Sequence, residues 1–81
     1  RGEAEQRRQV SERYGALTAR EREVALGVAH GRQNKVIAFD LAISQKTVEI
    51  HRANAMAKLG ATTAADLARM LAQAGLLGEN P

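Results

Sequence analysis

The sequence predicts an all-α protein, a compact four-helix bundle that contains a helix-turn-helix. Three observations predict it. Apolar residues recur at three-to-four spacing along four segments, the spacing that places them on one face of a helix. Capping residues and glycines punctuate the ends of these segments. The stretch Asn34–Leu59, NKVIAFDLAISQKTVEIHRANAMAKL, reads as a short helix, a tight connection and a longer basic helix. No strand alternation, low-complexity tract or helix-scale repeat interrupts the pattern.

Residues 1–16 are rich in Arg, Glu and Gln, and Ala4, Val10, Tyr14 and Leu17 supply only a thin apolar stripe. This segment is expected to be a linker or the end of a connecting helix, frayed over much of its length. Thr18–Glu21, T-A-R-E, is a capping box that starts the first bundle helix. Val24, Ala25 and Val28 point inward from it, and Gly31 ends it. Asn34 is expected to cap the second helix, which runs to about Ala42 with Ile37, Ala38 and Leu41 facing the core. Ser44 caps the third, which runs from about Gln45 to Leu59 and stops at Gly60. Its core-facing residues are Val48, Ala55 and Leu59. Thr63 with Asp66 repeats the box pattern and opens the fourth helix, which ends near Gly75 and carries the stripe Leu67, Met70, Leu71 and Ala74. The expected organisation is therefore a linker over 1–16, one domain over 17–78 and a tail over 79–81.

Composition narrows the function. Eighty-one residues make one domain, and with one Tyr, one Phe and no Trp its core is built from Leu, Val, Ile, Ala and Met. The absence of Cys removes disulfides and thiolate metal sites, fits a reducing compartment and leads us to expect a cytoplasmic protein. His30 and His51 lie in different helices without ligand spacing, so no metal and no cofactor is expected. No apolar run reaches membrane-spanning length, so no membrane partner is expected. No nucleophile–base pair or Gly-rich phosphate loop points to an enzyme, and no catalytic residue is assigned. The sequence opens on Arg1 rather than Met, which suggests a fragment with a partner domain out of sight. The net charge of +3 is modest. Its placement says more, because Ser44–Lys58 carries Lys46, Arg52 and Lys58 against the single acid Glu49.

The third helix has an unusual outer face. Opposite Val48, Ala55 and Leu59 lie Lys46, Glu49, Ile50, Ala53 and Ala57. Ile and Ala are poor choices for plain solvation but suit entry into a DNA groove. There they permit close approach and can touch thymine methyls, while Glu49 can accept from cytosine N4. Lys46 sits in the first turn, where free amides and the helix dipole already favour anionic acceptors. Arg52 and Lys58 flank the face, and Lys35 opens the second helix; all three suit phosphate contacts. His51 reads as a half-buried packing residue.

These residues resemble a known family. L-T-A-R-E-R-E-V from Leu17, the N-K-V-I-A start of the second helix, I-S-Q-K-T-V-E-I-H-R-A-N and K-L-G before the fourth helix closely resemble the LuxR-type DNA-binding domain, in its FixJ/NarL response-regulator branch. The resemblance covers about residues 17–77. It implies a transcription factor that reads the major groove with its third helix and pairs through its fourth as a dimer on DNA. It also implies an N-terminal receiver domain and makes RNA polymerase a candidate partner. Carried over by position, Lys46, Thr47, Glu49, Ile50 and Ala53 fall on base- and backbone-contacting sites. Lys35, Arg52, Asn54 and Lys58 fall on or near phosphate sites. The dimer interface is expected at Ala64, Leu67, Ala68 and Leu71. Ala25 and Gly27 replace larger aliphatics of the family, so the first bundle helix is expected to pack loosely there.

Two alternatives stand beside a double-stranded-DNA-binding effector domain of a two-component regulator. One is a helix-turn-helix module that binds protein. The other is the DNA-binding domain of a ligand-sensing, quorum-type LuxR regulator.

Overall fold

Five helices follow one another, with no strand, along residues 2–78, which the computed structural model describes. They are α1 (Gly2–Gly15), α2 (Ala19–Ala29), α3 (Asn34–Leu41), α4 (Gln45–Leu59) and α5 (Ala64–Gln73). The last four are the expected bundle. The tail over 79–81 lies outside the described residues. Val24, Val48, Leu59, Leu67 and Leu71 form the fully buried centre, joined by Ala25, Val28, Ile37, Ala38 and Ala55. Each large aliphatic buried in this way contributes about 1.5–3 kcal/mol.

Residues 2–15 do not fray: α1 is a continuous helix. It has no Pro, acids in its first turn (Glu3, Glu5), Arg13 in its last and ion pairs one turn apart, Glu3–Arg7 and Glu5–Arg8. The thin stripe is still enough to dock it. Val10 is buried, Tyr14 packs against the core, and α1 touches both α4 and α5. Burial pushes the Tyr14 phenol up, opposed by the nearby Arg22 guanidinium. Arg22 Nη1 also donates to Leu17 O at 2.7 Å and closes the corner between α1 and α2.

Gly27 overturns the expectation of loose packing. It is buried, and a Cβ placed there would lie 2.9 Å from Ile37 Cγ1 and 3.0 Å from Cδ1. The missing side chain lets α3 seat Ile37 directly on the α2 backbone. Gly inside a helix costs roughly 0.5–1 kcal/mol relative to Ala. Here that cost secures a close helix–helix contact.

The N-termini largely follow the sequence. Thr18 and Glu21 form both bonds of a capping box, and Ser44 Oγ accepts from Thr47 N at 3.0 Å. Thr63 Oγ1 accepts from Asp66 N at 3.0 Å, but the Asp66 carboxylate reaches one residue further back, to Thr62 N at 3.1 Å. The shorter Asp side chain makes a shifted box. Asn34 is not the cap of α3. That position is Gln33, which makes no side-chain cap bond, and Asn34 is the first helical residue.

Four C-termini share one device. An amide just past each helix end bonds back across the last turn: Arg32 N to Gly27 O, Ile43 N to Ala38 O, Ala61 N to Met56 O and Leu76 N to Leu71 O, all at 2.9–3.0 Å. The motif needs a left-handed residue in the bend. Gly31, Gly60 and Gly75 fill it in three cases, but Ala42, at φ 58°, fills it between α3 and α4. An Ala there carries a steric penalty that Gly lacks, of about 1–2 kcal/mol. Part of this is offset by the freer unfolded chain of Gly, about 0.4–1 kcal/mol. Ala42→Gly is therefore expected to raise stability by roughly 0.5–1 kcal/mol. Urea denaturation checks this, and a lower midpoint would show that the bend is not strained.

Candidate nucleic-acid interface

Helix α4 sits on the bundle by a narrow strip. Val48, Ala55 and Leu59 are fully buried, and His51 and Met56 are half-buried beside them. The residues expected on the outer face, Lys46, Glu49, Ile50, Ala53 and Ala57, are all exposed, as is Asn54. Ile50 leaves 51% of its surface in solvent. Lys46 and Glu49 make no hydrogen bond or ion pair among the described residues, so both remain available to a ligand. Thr47 is half-buried, and its hydroxyl lies 2.9 Å from Ser44 Oγ. That contact ties it to the cap of α4. Lys35 is exposed in the first turn of α3.

Two of the basic residues are engaged inward. Arg52 Nη1 donates to Asn34 Oδ1 at 3.0 Å, bridging α4 to the start of α3. Lys58 Nζ donates to Glu21 Oε1 at 2.8 Å. Glu21 is 4% exposed, and the same oxygen accepts from Thr18 N at 3.0 Å. Each of these contacts fixes the pose of α4 on its neighbour. In the sequence Glu21 reads only as half of a capping box and Asn34 only as a cap. The partner of Glu21 lies 37 residues away, and no local pattern announces it. A one-residue shift in the start of α3 is enough to free the Asn34 side chain for Arg52.

The expected dimer residues divide. Leu67 and Leu71 are fully buried in the domain's own core and are not surface residues. They lie on the inward side of α5 because the apolar stripe is taken up by α2 and the rest of the bundle. Ala64 and Ala68 are half-buried at the edges. The free side of α5 is formed by Ala65, Ala68 and Ala72, away from α1, which approaches near Asp66, Met70 and Gln73.

Among the described residues no cluster of His, Cys, Asp and Glu could hold a metal, and no helix is long and apolar enough to cross a membrane. His51 is half-buried, as a packing residue should be, and His30 Nδ1 donates to Leu26 O at 2.8 Å.

The Lys58 hydrogen bond, followed by the one from the Thr18 amide, holds the Glu21 carboxyl below its ordinary value. A carboxyl depressed in the folded state stabilises the fold above its unfolded pKa, and that contribution disappears as pH falls through the folded value. Glu21→Gln should therefore melt below the parent at neutral pH. The gap should close as pH falls below the ordinary Glu value of about 4.3. A gap that stays constant in thermal melts across that range would show that the charge on Glu21 does not anchor α4.

Known proteins share this arrangement. The model of the family "Bacterial regulatory proteins, luxR family" matches residues 15–71. The transcriptional regulatory protein FixJ of Azorhizobium caulinodans is 44% identical over 70 residues, 86% of this chain and 33% of FixJ. The transcriptional regulatory protein UhpA of Escherichia coli is 49% identical over 62 residues, 76% of this chain and 32% of UhpA. The crystal structure of full-length FixJ from B. japonicum superposes with a TM-score of 0.84 at 36% identity, covering 94% of this chain and 37% of that one. The chain thus spans about a third of the length of these relatives. It belongs to the luxR family of bacterial regulatory proteins, as a DNA-binding helix-turn-helix domain of the FixJ type.

Proposed function

We propose that this domain is the output half of a two-component response regulator and binds operator DNA with α4 in the major groove. The observation that carries this reading is the outer face of α4. Exposed Ile50, Ala53 and Ala57 form a smooth surface beside Lys46 and Glu49, neither of which has a partner among the described residues. Lys46, Thr47, Glu49, Ile50 and Ala53 would meet bases and the adjoining backbone. Lys35 and Asn54 would meet phosphate. Arg52 and Lys58 hold α4 in position through Asn34 and Glu21, and the part-exposed Lys58 ammonium and the remaining guanidinium nitrogens of Arg52 would add positive charge beside the flanking phosphates. A phosphorylated receiver domain N-terminal to α1 would control pairing.

Selection of bound sequences from a random duplex pool tests the reading and gives half-site symmetry in the same experiment. Binding should weaken steeply with salt, with a slope of about −0.9 per phosphate neutralised. Lys46→Ala should weaken binding to the selected operator while the melting temperature stays at the parent's value. Glu49→Ala should relax preference at one base pair, a C·G, by about 1–3 kcal/mol and leave non-specific binding intact. Unchanged affinity in Lys46→Ala at low salt would remove this helix from the groove.

Pairing on DNA would use the alanine side of α5. Two recognition helices about one turn apart would then face two half-sites. A contact of small side chains on one helix is too small to hold a dimer in free solution. Ala65→Glu is expected to abolish cooperative binding to a two-half-site operator and spare binding to one half-site. Gel shifts on one- and two-site DNA measure this, and equal cooperativity would exclude α5 from the contact.

A further inference from the structure

The outer face of α4 holds a gap of defined chemistry. At about 100° per residue, Glu49 and Ile50 point along two edges of that face, and Ala53 lies between them one turn further on. Residues three and four apart on a helix are neighbours, with Cβ atoms about 5–6 Å apart. Glu49, Ile50 and Ala53 therefore form a triangle, and all three are exposed. Ala53 ends at its Cβ, so the space above it stays open. A carboxylate walls that space on one side and an aliphatic chain on the other. Glu49 has no partner among the described residues, which leaves its oxygens free to accept.

Each base presents a different major-groove edge to such a gap. Cytosine offers its N4 amino group to Glu49, but the neighbouring ring carbon, C5, carries only hydrogen. The space over Ala53 is then unfilled, and its lining loses the dispersion contacts a partner atom would supply. Thymine brings a C5 methyl group that fits the space, yet its O4 acceptor then faces the carboxylate, and two acceptors repel. Guanine offers acceptors alone, and adenine pairs its N6 donor with the N7 acceptor rather than with a methyl group. Lys46, three residues before Glu49 on the same face, suits the guanine acceptors of a C·G pair.

A cytosine methylated at C5 meets every demand of the triangle. Its N4 donates to Glu49, and its methyl group fills the space between Ile50 and Ala53. Resting on the DNA-binding function proposed above, we infer that Glu49, Ile50 and Ala53 form a site for 5-methylcytosine, so that operator binding strengthens when the cytosine opposite Glu49 is methylated at C5. Burying one methyl group amounts to about fourfold in affinity, the equivalent of about 0.8 kcal/mol.

The test uses the purified chain and synthetic duplexes built on the selected operator. Glu49→Ala locates the C·G pair that Glu49 reads. That cytosine is then replaced by 5-methylcytosine, or the pair by T·A. Affinities are compared within each protein variant, so that changes in basal binding cancel. The parent should bind the 5-methylcytosine duplex about fourfold more tightly than the cytosine duplex, and the T·A duplex more weakly than either. Ile50→Ser should reduce the gain to none. Ala53→Leu, which fills the space, should turn the gain into a loss. Both positions are exposed, and circular dichroism and thermal melts verify the fold. A parent that binds the methylated operator no more tightly overturns the inference, as does a gain that survives Ala53→Leu. Tighter binding to T·A than to 5-methylcytosine overturns it too, because the methyl group alone then decides. If Glu49→Ala relaxes no C·G pair, the inference falls while the DNA-binding reading stands. Failure of the parent to bind any selected duplex would instead refute that reading, and the two failures are thereby distinguished.

Discussion

The buried carboxylate of Glu21 is the constraint on which the working surface depends. One oxygen closes the start of α2 through the Thr18 amide and holds the last turn of α4 through Lys58. An acid this buried is tolerated only when it is fully partnered, since an unpaired buried charge is strongly destabilising. The same requirement makes it informative about geometry. The distance between the start of α2 and the end of α4 cannot change without stranding the charge. The exposed end of Lys58 keeps part of the pair in water, which limits its contribution to stability but not its directionality.

Polar anchoring matters here because the apolar seat of α4 is narrow. Val48, Ala55 and Leu59 are spread along about three turns, and Ala55 offers little side chain to interlock. Aliphatic contacts of that kind resist separation better than they resist rolling or sliding. Glu21 fixes the C-terminal end of the helix and Asn34 its middle, while Ser44 caps its start. Gly27 supports the same frame from behind by letting Ile37 settle on α2, so that Asn34 is itself held in place. A face proposed to meet bases must be held closely, and Arg52 and Lys58, which a simple count of charges would assign to phosphate alone, also serve to hold it.

Much of this architecture is legible in the sequence. Helix ends are marked by T-A-R-E, Ser44, Thr63 and the glycines, and the inward faces by three-to-four spacing. The outer face of α4 follows from Val48, Ala55 and Leu59, because helical periodicity converts three core residues into the direction of all the others. What escapes depends on partners distant in sequence. Spacing cannot show that Lys58 turns to Glu21, that Arg52 turns to Asn34, or that α2 and α5 consume Leu67 and Leu71. For α1, weak hydrophobicity points to fraying, yet local charge pairs and the anchors Val10 and Tyr14 order it. Ala42 is invisible as a special residue because nothing in an alanine announces a left-handed backbone.

With Arg52 and Lys58 engaged inside the domain, the cations left free near the proposed groove are mainly Lys46 and Lys35, and Glu49 opposes them. Non-specific attraction to DNA scales with the phosphates a protein neutralises. On the proposed DNA-binding mode, so small a free charge would make a single domain a weak, salt-sensitive binder. Strong occupancy of an operator then has to come from contacts that exist only when several proteins share one DNA. The alanine side of α5 proposed for pairing would suit such a contact, since it is small and apolar, and too limited to hold a partner in solution. A weak reader with weak side contacts would be governed by how many neighbours are present, and under the proposed function this would make its binding responsive to a signal that changes pairing.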